Sequence, residues 1–243
     1  MANFLAGKRA LVTGGSKGIG FEIARALLSE SANVVICGRD KGAVENALTE
    51  LHNRAKSGRV SGRGTDVSSS DDVRQLFEFT DKELGGLDIL INNAGMGIFR
   101  AVAELSVEEW NRIIGTNLSG AFYCSREALQ RFEKAHGGCI LNISSLAGKN
   151  PFAGGAAYNA SKFGLNGFSE ATMLDHRNDN VRVSYIMPGS VDTGFGGHEA
   201  GREKSEWKIA PEDIAEIVLD ILRKPKRTLI SRVEVRPSRP QKN

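Results

Sequence analysis

Short apolar runs alternate with amphipathic stretches along nearly the whole chain. The runs are rich in Val, Ile and Leu and predict buried strands over residues 9–13, 33–37, 60–65, 87–92, 139–144, 181–187 and 228–235. Helical periodicity predicts helices over 21–29, from residue 41 onward, over 107–134 and over 157–177. Such alternation implies right-handed β-α-β crossovers. We therefore expect an α/β, doubly wound domain whose seven-stranded, mostly parallel sheet carries helices on both faces.

The length and the net charge of the chain limit the kinds of function that it can have. The chain has 243 residues and a mass of 26.2 kDa, which suits one domain over residues 1–243. Its net charge of +3 comes from Lys and Arg scattered among Asp and Glu, so we expect no nucleic-acid partner. The first predicted strand begins within ten residues of Met1, and no apolar run is long enough to span a bilayer. The expectation is a cytoplasmic protein without a membrane partner.

The cysteines and histidines show no ligand pattern. Cys37, Cys124 and Cys139 fall on apolar segments without paired spacing, which favours buried, reduced thiols over a disulfide or a metal site. The four histidines, at positions 52, 136, 176 and 198, are equally isolated in sequence. The sequence therefore predicts no metal.

A glycine-rich turn joins the first predicted strand to the first predicted helix. It carries Gly14, Gly18 and Gly20. Glycines in such a turn let the backbone approach a pyrophosphate closely, and the N-terminus of the following helix offers free N–H groups to the phosphates. An isolated glycine pattern would be explained as an ordinary turn, but the flanking strand and helix favour a nucleotide site.

A second pattern is the pentapeptide Tyr158-Asn-Ala-Ser-Lys162. Residues four apart share one face of a helix, so the Lys162 ammonium can lie beside the Tyr158 phenol. A phenol keeps its proton until about pH 10, and a neighbouring cation would allow it to exchange protons near neutrality. Alone, the same pair is also typical of a solvated helix face.

Together these patterns resemble the short-chain dehydrogenase/reductase family, and in particular its NADP(H)-preferring members. The resemblance extends from Lys8 to Val235. It rests on Gly-x-x-x-Gly-x-Gly, Tyr158-x-x-x-Lys162, Asn92-Asn-Ala-Gly95, Asn117, Ser144-Ser145 and Pro188-Gly189. It implies a Rossmann-like fold and an oxidoreductase that transfers a hydride between a nicotinamide cofactor and a carbonyl or secondary alcohol.

The resemblance implies a cofactor site made of Gly14, Ser16, Lys17, Gly18, Ile19, Gly20, Arg39, Asp66, Val67, Asn93, Ala94, Gly95, Tyr158, Lys162, Pro188, Gly189, Val191 and Thr193. The family's acidic position for NAD aligns with Gly38. Lys17 and Arg39 supply cations suited to the extra phosphate of NADP, although either can also be a solvent-facing charge. Asp40 is expected to cap the helix that follows it. We therefore expect NADP(H).

The resemblance also implies four catalytic residues, Asn117, Ser145, Tyr158 and Lys162. Ser145 would polarise the substrate oxygen, and Tyr158 would donate the proton in reduction and accept it in oxidation. Lys162 would stabilise the tyrosinate and bind the nicotinamide ribose. Asn117 would bind a water leading from Lys162 to solvent. Ser144 is expected to bond the local backbone instead.

The substrate is less defined. One candidate reaction is reduction of a 3-ketoacyl group on acyl carrier protein. The basic residues with which that branch docks its carrier align here with His136 and Asp179, and the C-terminal sequence also departs from that branch. We therefore expect a small free ketone, aldehyde or 3-hydroxy/3-keto acid. The alternative from another class is a non-catalytic NADPH-binding regulatory protein.

The loop over residues 194–208 is expected to be a substrate lid, with Phe195 and Trp207 as apolar cover. Arg202 or Lys204 would be available there for a substrate carboxylate, although solvated charges are the commoner explanation. Residues 152–154 are expected to form another wall of the pocket. The resemblance further implies a homo-oligomer, a dimer or tetramer paired through the helices at 107–134 and 157–177.

Overall fold

A parallel sheet is the centre of the fold. The computed structural model describes residues 3–54, 58–195 and 207–240. Seven strands lie in the order β3-β2-β1-β4-β5-β6-β7, and every neighbouring pair is parallel. The strands are β1 (Arg9–Thr13), β2 (Asn33–Gly38), β3 (Val60–Gly64), β4 (Ile89–Asn92), β5 (Gly138–Ile143), β6 (Val181–Pro188) and β7 (Arg232–Val235). The predicted fold class is confirmed.

Helices cover both faces of this sheet. They are α1 (Gly18–Ser29), α2 (Lys41–Arg54), α3 (Ser70–Leu84), α4 (Val107–Ile114), α5 (Gly120–Ala135), α6 (Ala156–His176) and α7 (Pro211–Arg223). Ala10 and Val12 of β1 belong to one buried core, with α1, α2 and α7, whereas Leu11 belongs to the other, with α3 and α5. Successive side chains of a strand point to opposite faces, so a strand covered on both sides has to be apolar throughout.

Three boundaries differ from the prediction by more than a residue or two, and the first is the start of α1, at Gly18 rather than at residue 21. β7 spans Arg232–Val235 rather than 228–235, because a turn in which the Thr228 N–H donates to the Pro225 carbonyl precedes it (2.8 Å). The single helix predicted over 107–134 is interrupted by a π turn at Gly115–Ser119, which separates α4 from α5. Helical periodicity cannot reveal a wider turn of this kind, because the apolar face resumes after it.

Local side-chain chemistry accounts for several helix starts. Ser69 accepts a hydrogen bond from the Asp72 N–H at the start of α3, and Ser106 with Glu109 forms a capping box on α4. The Asp40 carboxylate accepts from the Ala43 N–H (3.0 Å), which confirms the predicted capping of α2. Within the described segments, no helix is long and apolar enough to cross a membrane. All three cysteines are buried and free, as predicted.

The carboxyl ends of β1, β4 and β5 meet where the strand order reverses. In an open parallel sheet this reversal leaves a crevice in which ligands bind. A buried polar ladder ties β4 to β5: Asn92 Nδ2 donates to Asn142 Oδ1 (2.9 Å) and Ser125 Oγ (3.0 Å), and Asn142 Nδ2 donates to Ser169 Oγ (2.7 Å). The ladder therefore connects the sheet to α5 and α6 beneath the crevice.

Replacing Asn142 tests the contribution of this ladder. We expect Asn142→Val to lower the free energy of unfolding by about 2 kcal/mol, because it leaves buried partners without their hydrogen bonds. The matched control is Ser184→Ala on adjacent β6, whose buried hydroxyl has no hydrogen-bond partner among the described residues. Removing it should leave stability unchanged or slightly higher. Urea titration of both variants is the measurement, and equal losses would contradict the assignment.

Candidate active site

The glycine-rich turn after β1 brings the backbone to the crevice. Gly14 and Gly18 have φ of +63° and +56°, which only glycine adopts readily. A Cβ at Gly20 would lie 2.3 Å from both Asn93 Nδ2 and the Gly14 carbonyl oxygen. At the start of α1, Lys17 makes no side-chain capping bond and the first turn has no acidic residue. The N-terminus of α1 is therefore open to an anion.

Asn93 fixes this turn to the end of β4. Its side-chain amide donates to the carbonyls of Thr13 and Gly14 (3.0 Å each). Thr13 Oγ1 in turn accepts from the backbone N–H groups of Asn93 and Ala94 (3.0 Å each). The side chain of Asn93 thus holds the floor of the crevice together.

The end of β2 carries polar and cationic groups without a carboxylate on the strand itself. Gly38 leaves room beside the hydroxyl of Ser16, since a Cβ there would lie 3.0 Å from Ser16 Oγ. Lys17 and Arg39 are both exposed. The pKa of Asp66 is held below its ordinary value chiefly by a hydrogen bond from Ser68, with a smaller contribution from the Arg39 charge. Arg39 therefore lies near the part of the crevice formed by Asp66.

Tyr158 and Lys162 lie on α6 and are both buried, with exposed fractions of 9% and 4%. Lys162 Nζ donates to the Ile143 carbonyl (2.9 Å) and lies 5.8 Å from the centre of the Tyr158 ring. A Cβ at Gly95 would approach Lys162 Nζ to 3.8 Å. The structure therefore brings the predicted tyrosine, lysine and glycine to one point at the carboxyl edge of the sheet.

Asn117 lies within the π turn, and its side chain is fully engaged. Its Oδ1 accepts from the Met96 N–H (2.8 Å), and its Nδ2 donates to the Met96 carbonyl (2.9 Å) and to Ser161 Oγ (3.0 Å). The side chain thus joins the segment after β4 to α6. Both N–H groups of this amide are therefore used, and a water held at this residue would have to bind a carbonyl oxygen of its side chain or its backbone.

The two serines after β5 have partners other than those predicted. Ser144 Oγ donates to Asn166 Oδ1 (2.5 Å), so the expectation that it bonds the local backbone is wrong. It is Ser145 Oγ that accepts a local backbone bond, from the Ala147 N–H (3.1 Å). Asn166 Nδ2 also donates to the Gly148 carbonyl (3.0 Å). Asn166 therefore ties the turn that carries Ser145 to the helix that carries Tyr158.

The segment after β6 closes over the glycine-rich turn. Gly189 N–H donates to the Val235 carbonyl (2.8 Å), which anchors the chain after Pro188 to β7. Val191 forms an isolated bridge with Ile209, and a Cβ at Gly18 would lie 3.3 Å from Thr193 Cγ2. Both ends of the predicted lid are therefore joined at this bridge. Most of that lid, including Arg202 and Lys204, lies outside the described residues.

Three aromatic rings surround Tyr158. The ring centres of Phe99 and Phe195 are each 5.7 Å from that of Tyr158, and that of Phe152 is 6.4 Å away. We call Phe99, Phe152 and Phe195 the phenylalanine cluster. The second predicted apolar residue of the lid, Trp207, has Lys208 Nζ 5.9 Å from its ring centre.

Comparison with known proteins identifies the family. The model of the short chain dehydrogenase family matches residues 8–204. This chain belongs to the short-chain dehydrogenase family. It is 36% identical over 207 residues to a 3-oxoacyl-[acyl-carrier-protein] reductase of Chlamydia muridarum, covering 85% of this chain and 83% of that protein.

Two solved structures of the family are similar to this dehydrogenase over almost their whole length. One is an alcohol dehydrogenase from the archaeon Thermococcus sibiricus complexed with 5-hydroxy-NADP, with a TM-score of 0.88 and 29% identity over 97% of this chain and 99% of that one. The other is a metagenomic short-chain oxidoreductase in complex with NADP, with a TM-score of 0.84, 36% identity and the same coverage.

Burial dominates the electrostatics of this dehydrogenase's tyrosine and lysine. It lowers the pKa of Lys162 from 10.5 to about 8, because the ammonium loses its hydration. Burial also raises the pKa of Tyr158, and a hydrogen bond with Ser145 offsets part of this rise. The expectation that Lys162 lowers the phenol's pKa is therefore not met in this structure. The physical reason is that the loss of hydration of the phenolate outweighs the polar contacts around it.

Phe99 and Asn166 were not among the predicted site residues. Phe99 follows the Asn-Ala-Gly segment by four residues, where an isolated aromatic residue carries no chemical signal. Asn166 stands four residues after Lys162 on the same helix face, a spacing that sequence alone offers as a hint. In the described segments no group of three or more His, Cys, Asp and Glu side chains could hold a metal ion.

The pH dependence of the stability of a Lys162 variant tests whether the Lys162 amine is buried. The folded protein holds this proton less tightly than the unfolded chain, so the stability of the dehydrogenase should rise with pH between about 8 and 10.5. The fall in pKa is worth roughly 3 kcal/mol. The Lys162→Met variant should therefore be more stable than the wild type, with the largest difference in stability near neutral pH. This difference should disappear towards about pH 10. Urea titrations across this range check it, and the exposed Lys82→Met is the control. An advantage that is constant with pH would contradict burial of the charge.

Proposed function

We propose that this protein transfers a hydride between NADP(H) and a small ketone or aldehyde, or the corresponding secondary or primary alcohol. The observation that carries the proposal is the meeting of Tyr158, Lys162 and Ser145 beside the open N-terminus of α1. In this arrangement Tyr158 would act as a proton donor beside a bound nucleotide, which supports the proposal. The family and the NADP complexes of its structural relatives support the same reaction class.

The residues present fit NADP(H). The open helix N-terminus suits the pyrophosphate, because its N–H groups lack side-chain partners. Ser16 Oγ lies beside Gly38 at the end of β2, and the exposed Lys17 and Arg39 would supply cations for a 2′-phosphate. The Asp40 carboxylate is used as a helix cap. Val191 and Thr193 would contact the nicotinamide amide, and Lys162 the adjacent ribose hydroxyls.

The proposed mechanism divides the work between four side chains, while the cofactor supplies the hydride. Ser145 donates a hydrogen bond that polarises the substrate oxygen, and Tyr158 gives its proton to that oxygen as negative charge develops. Lys162, once charged, stabilises the resulting tyrosinate. The side chain of Asn117 holds the Met96 segment against α6, and its backbone carbonyl would bind the water that returns a proton towards Lys162.

Removing the phenol separates catalysis from binding. We expect Tyr158→Phe to lower kcat for carbonyl reduction by about 10²–10⁴-fold, because the proton donor is lost while the ring and its packing remain. NADPH oxidation, followed by absorbance, and NADPH binding, followed by fluorescence, are the measurements. Binding should change little, and Tyr123→Phe on α5 should behave as wild type. Equal turnover by Tyr158→Phe and wild type would eliminate the tyrosine mechanism.

Removing one cation tests the cofactor preference. Arg39→Ala should weaken NADPH binding about tenfold or more while leaving NADH binding nearly unchanged, because a hydrogen bond to a charged group contributes about 1.5–3 kcal/mol. The measurement is the ratio of the NADH dissociation constant to the NADPH dissociation constant, which expresses the preference for NADPH. Arg63→Ala on the neighbouring strand is the control for a general loss of positive charge. If both variants lower the ratio equally, Arg39 makes no direct phosphate contact.

A carrier-linked 3-oxoacyl reductase is the second candidate, favoured by the 36% identity to the chlamydial enzyme. The expected docking positions do not support it. His136 is exposed at the end of α5, and Asp179 presents a carboxylate that lies 3.0 Å from His176 Nδ1. An acidic carrier protein requires cations at such a surface. Comparing a carrier-bound 3-oxoacyl thioester with its free analogue distinguishes the two candidates.

A further inference from the structure

The phenylalanine cluster leaves much of its surface open around a buried hydroxyl. Phe99, Phe152 and Phe195 have exposed fractions of 43%, 46% and 38%, whereas Tyr158 is 9% exposed. Large apolar side chains that are exposed together beside a buried polar group are a common lining of small-molecule sites. The open faces of these rings are therefore available to cover a ligand that reaches Tyr158.

Glycines and backbone bonds hold the rings in place. A Cβ at Gly97 would lie 2.8 Å from Phe99 Cζ and 3.0 Å from Phe195 Cε1, so these two rings meet over a residue that has no side chain. A Cβ at Gly155 would lie 2.6 Å from Phe152 Cε2. A bridge between Arg100 and Gly155 joins the two segments. These contacts restrict the rings to defined positions, and a surface that is ordered in this way loses less entropy on binding.

The charged groups beside these rings already have partners. Arg100 Nε donates to the Glu109 carboxylate (2.9 Å), and Lys149 pairs with Glu234. On the segment after β6, the Asp192 carboxylate lies 3.8 Å from Lys208 Nζ. Among the described residues of these segments, a substrate carboxylate would find only cations that already have an ion-pair partner, and it would lose hydration against three aromatic rings.

Resting on the proposed function, we propose that the substrate is an aryl aldehyde or aryl ketone whose ring lies against the phenylalanine cluster. The Tyr158 ring makes angles of 84°, 50° and 54° with Phe99, Phe152 and Phe195, the tilted and edge-to-face arrangements that aromatic rings prefer, and an aryl substrate would extend this packing. In reduction the carbonyl carbon accepts a hydride from NADPH, the π pair of the C=O bond moves to oxygen, and oxygen takes the Tyr158 proton. The products are NADP⁺ and an aryl carbinol, and solvent restores the proton.

The test is a ratio of substrates across variants. Benzaldehyde and cyclohexanecarbaldehyde have the same carbon skeleton, so the ratio of their kcat/KM values reports how much the aromatic ring of the substrate contributes. The two aldehydes also differ in intrinsic reactivity, but this difference is the same for every variant and cancels when the ratios of two variants are compared. We expect Phe99→Leu and Phe152→Leu, which keep apolar bulk but remove a ring, to lower this ratio about two- to tenfold. The control Phe163→Leu, on an equally exposed ring of α6 outside the cluster, should leave the ratio unchanged.

Two results would count against the aryl assignment in different ways. An unchanged ratio in both cluster variants, or a wild type that reduces small aliphatic keto acids faster than benzaldehyde, would overturn it and leave the proposed function standing. A wild type that binds NADPH but reduces none of these carbonyls would overturn the proposed function as well. NADPH affinity and thermal midpoints of the variants establish that each one is folded.

Discussion

A lysine whose amine is almost completely removed from water is the constraint around which this site is built. The Lys162 ammonium keeps one hydrogen bond, to the Ile143 carbonyl, and its pKa falls to about 8. A charge in such a place is tolerated only where polar groups replace the lost hydration. Hydroxyl groups of a bound ribose would add such partners. If the cofactor binds as proposed, its binding would favour the charged form of Lys162, and that charge would favour binding.

That lysine has a defined position because polar side chains fix the surrounding elements to each other. Asn93 fastens the glycine-rich turn to β4, and Asn117 fastens the next segment to α6. Asn142 and Asn166 complete the connection from the sheet to α6. Buried hydrogen-bonded networks specify one arrangement because each alternative leaves a donor or acceptor unpaired. The catalytic helix is held by these amides as well as by apolar packing.

Sequence was sufficient for the fold, because strands buried on both faces require continuous apolar runs and leave a strong signal. It was also sufficient to find the residues that meet at the crevice, because Tyr158 and Lys162 carry their geometry in their spacing. It could not reveal the π turn at Gly115–Ser119 or the Ser144 to Asn166 bond, which depend on contacts between distant segments. The raised pKa of Tyr158 was missed for a related reason, since burial is a property of the assembled fold. The oligomeric state and the lid stay predictions.

The crevice has two chemically different halves, and this division follows from the topology. Its nucleotide half is formed by helix and strand ends, where backbone N–H groups, Ser16 and Arg39 are presented by elements that the fold requires in any case. Its substrate half is formed by connecting segments, where Phe99, Phe152 and Phe195 are free to differ without disturbing the sheet. The first half therefore carries the signal shared with the family. The second half lies on segments that the fold does not require, so the proposed substrate class rests on the chemistry of those three rings.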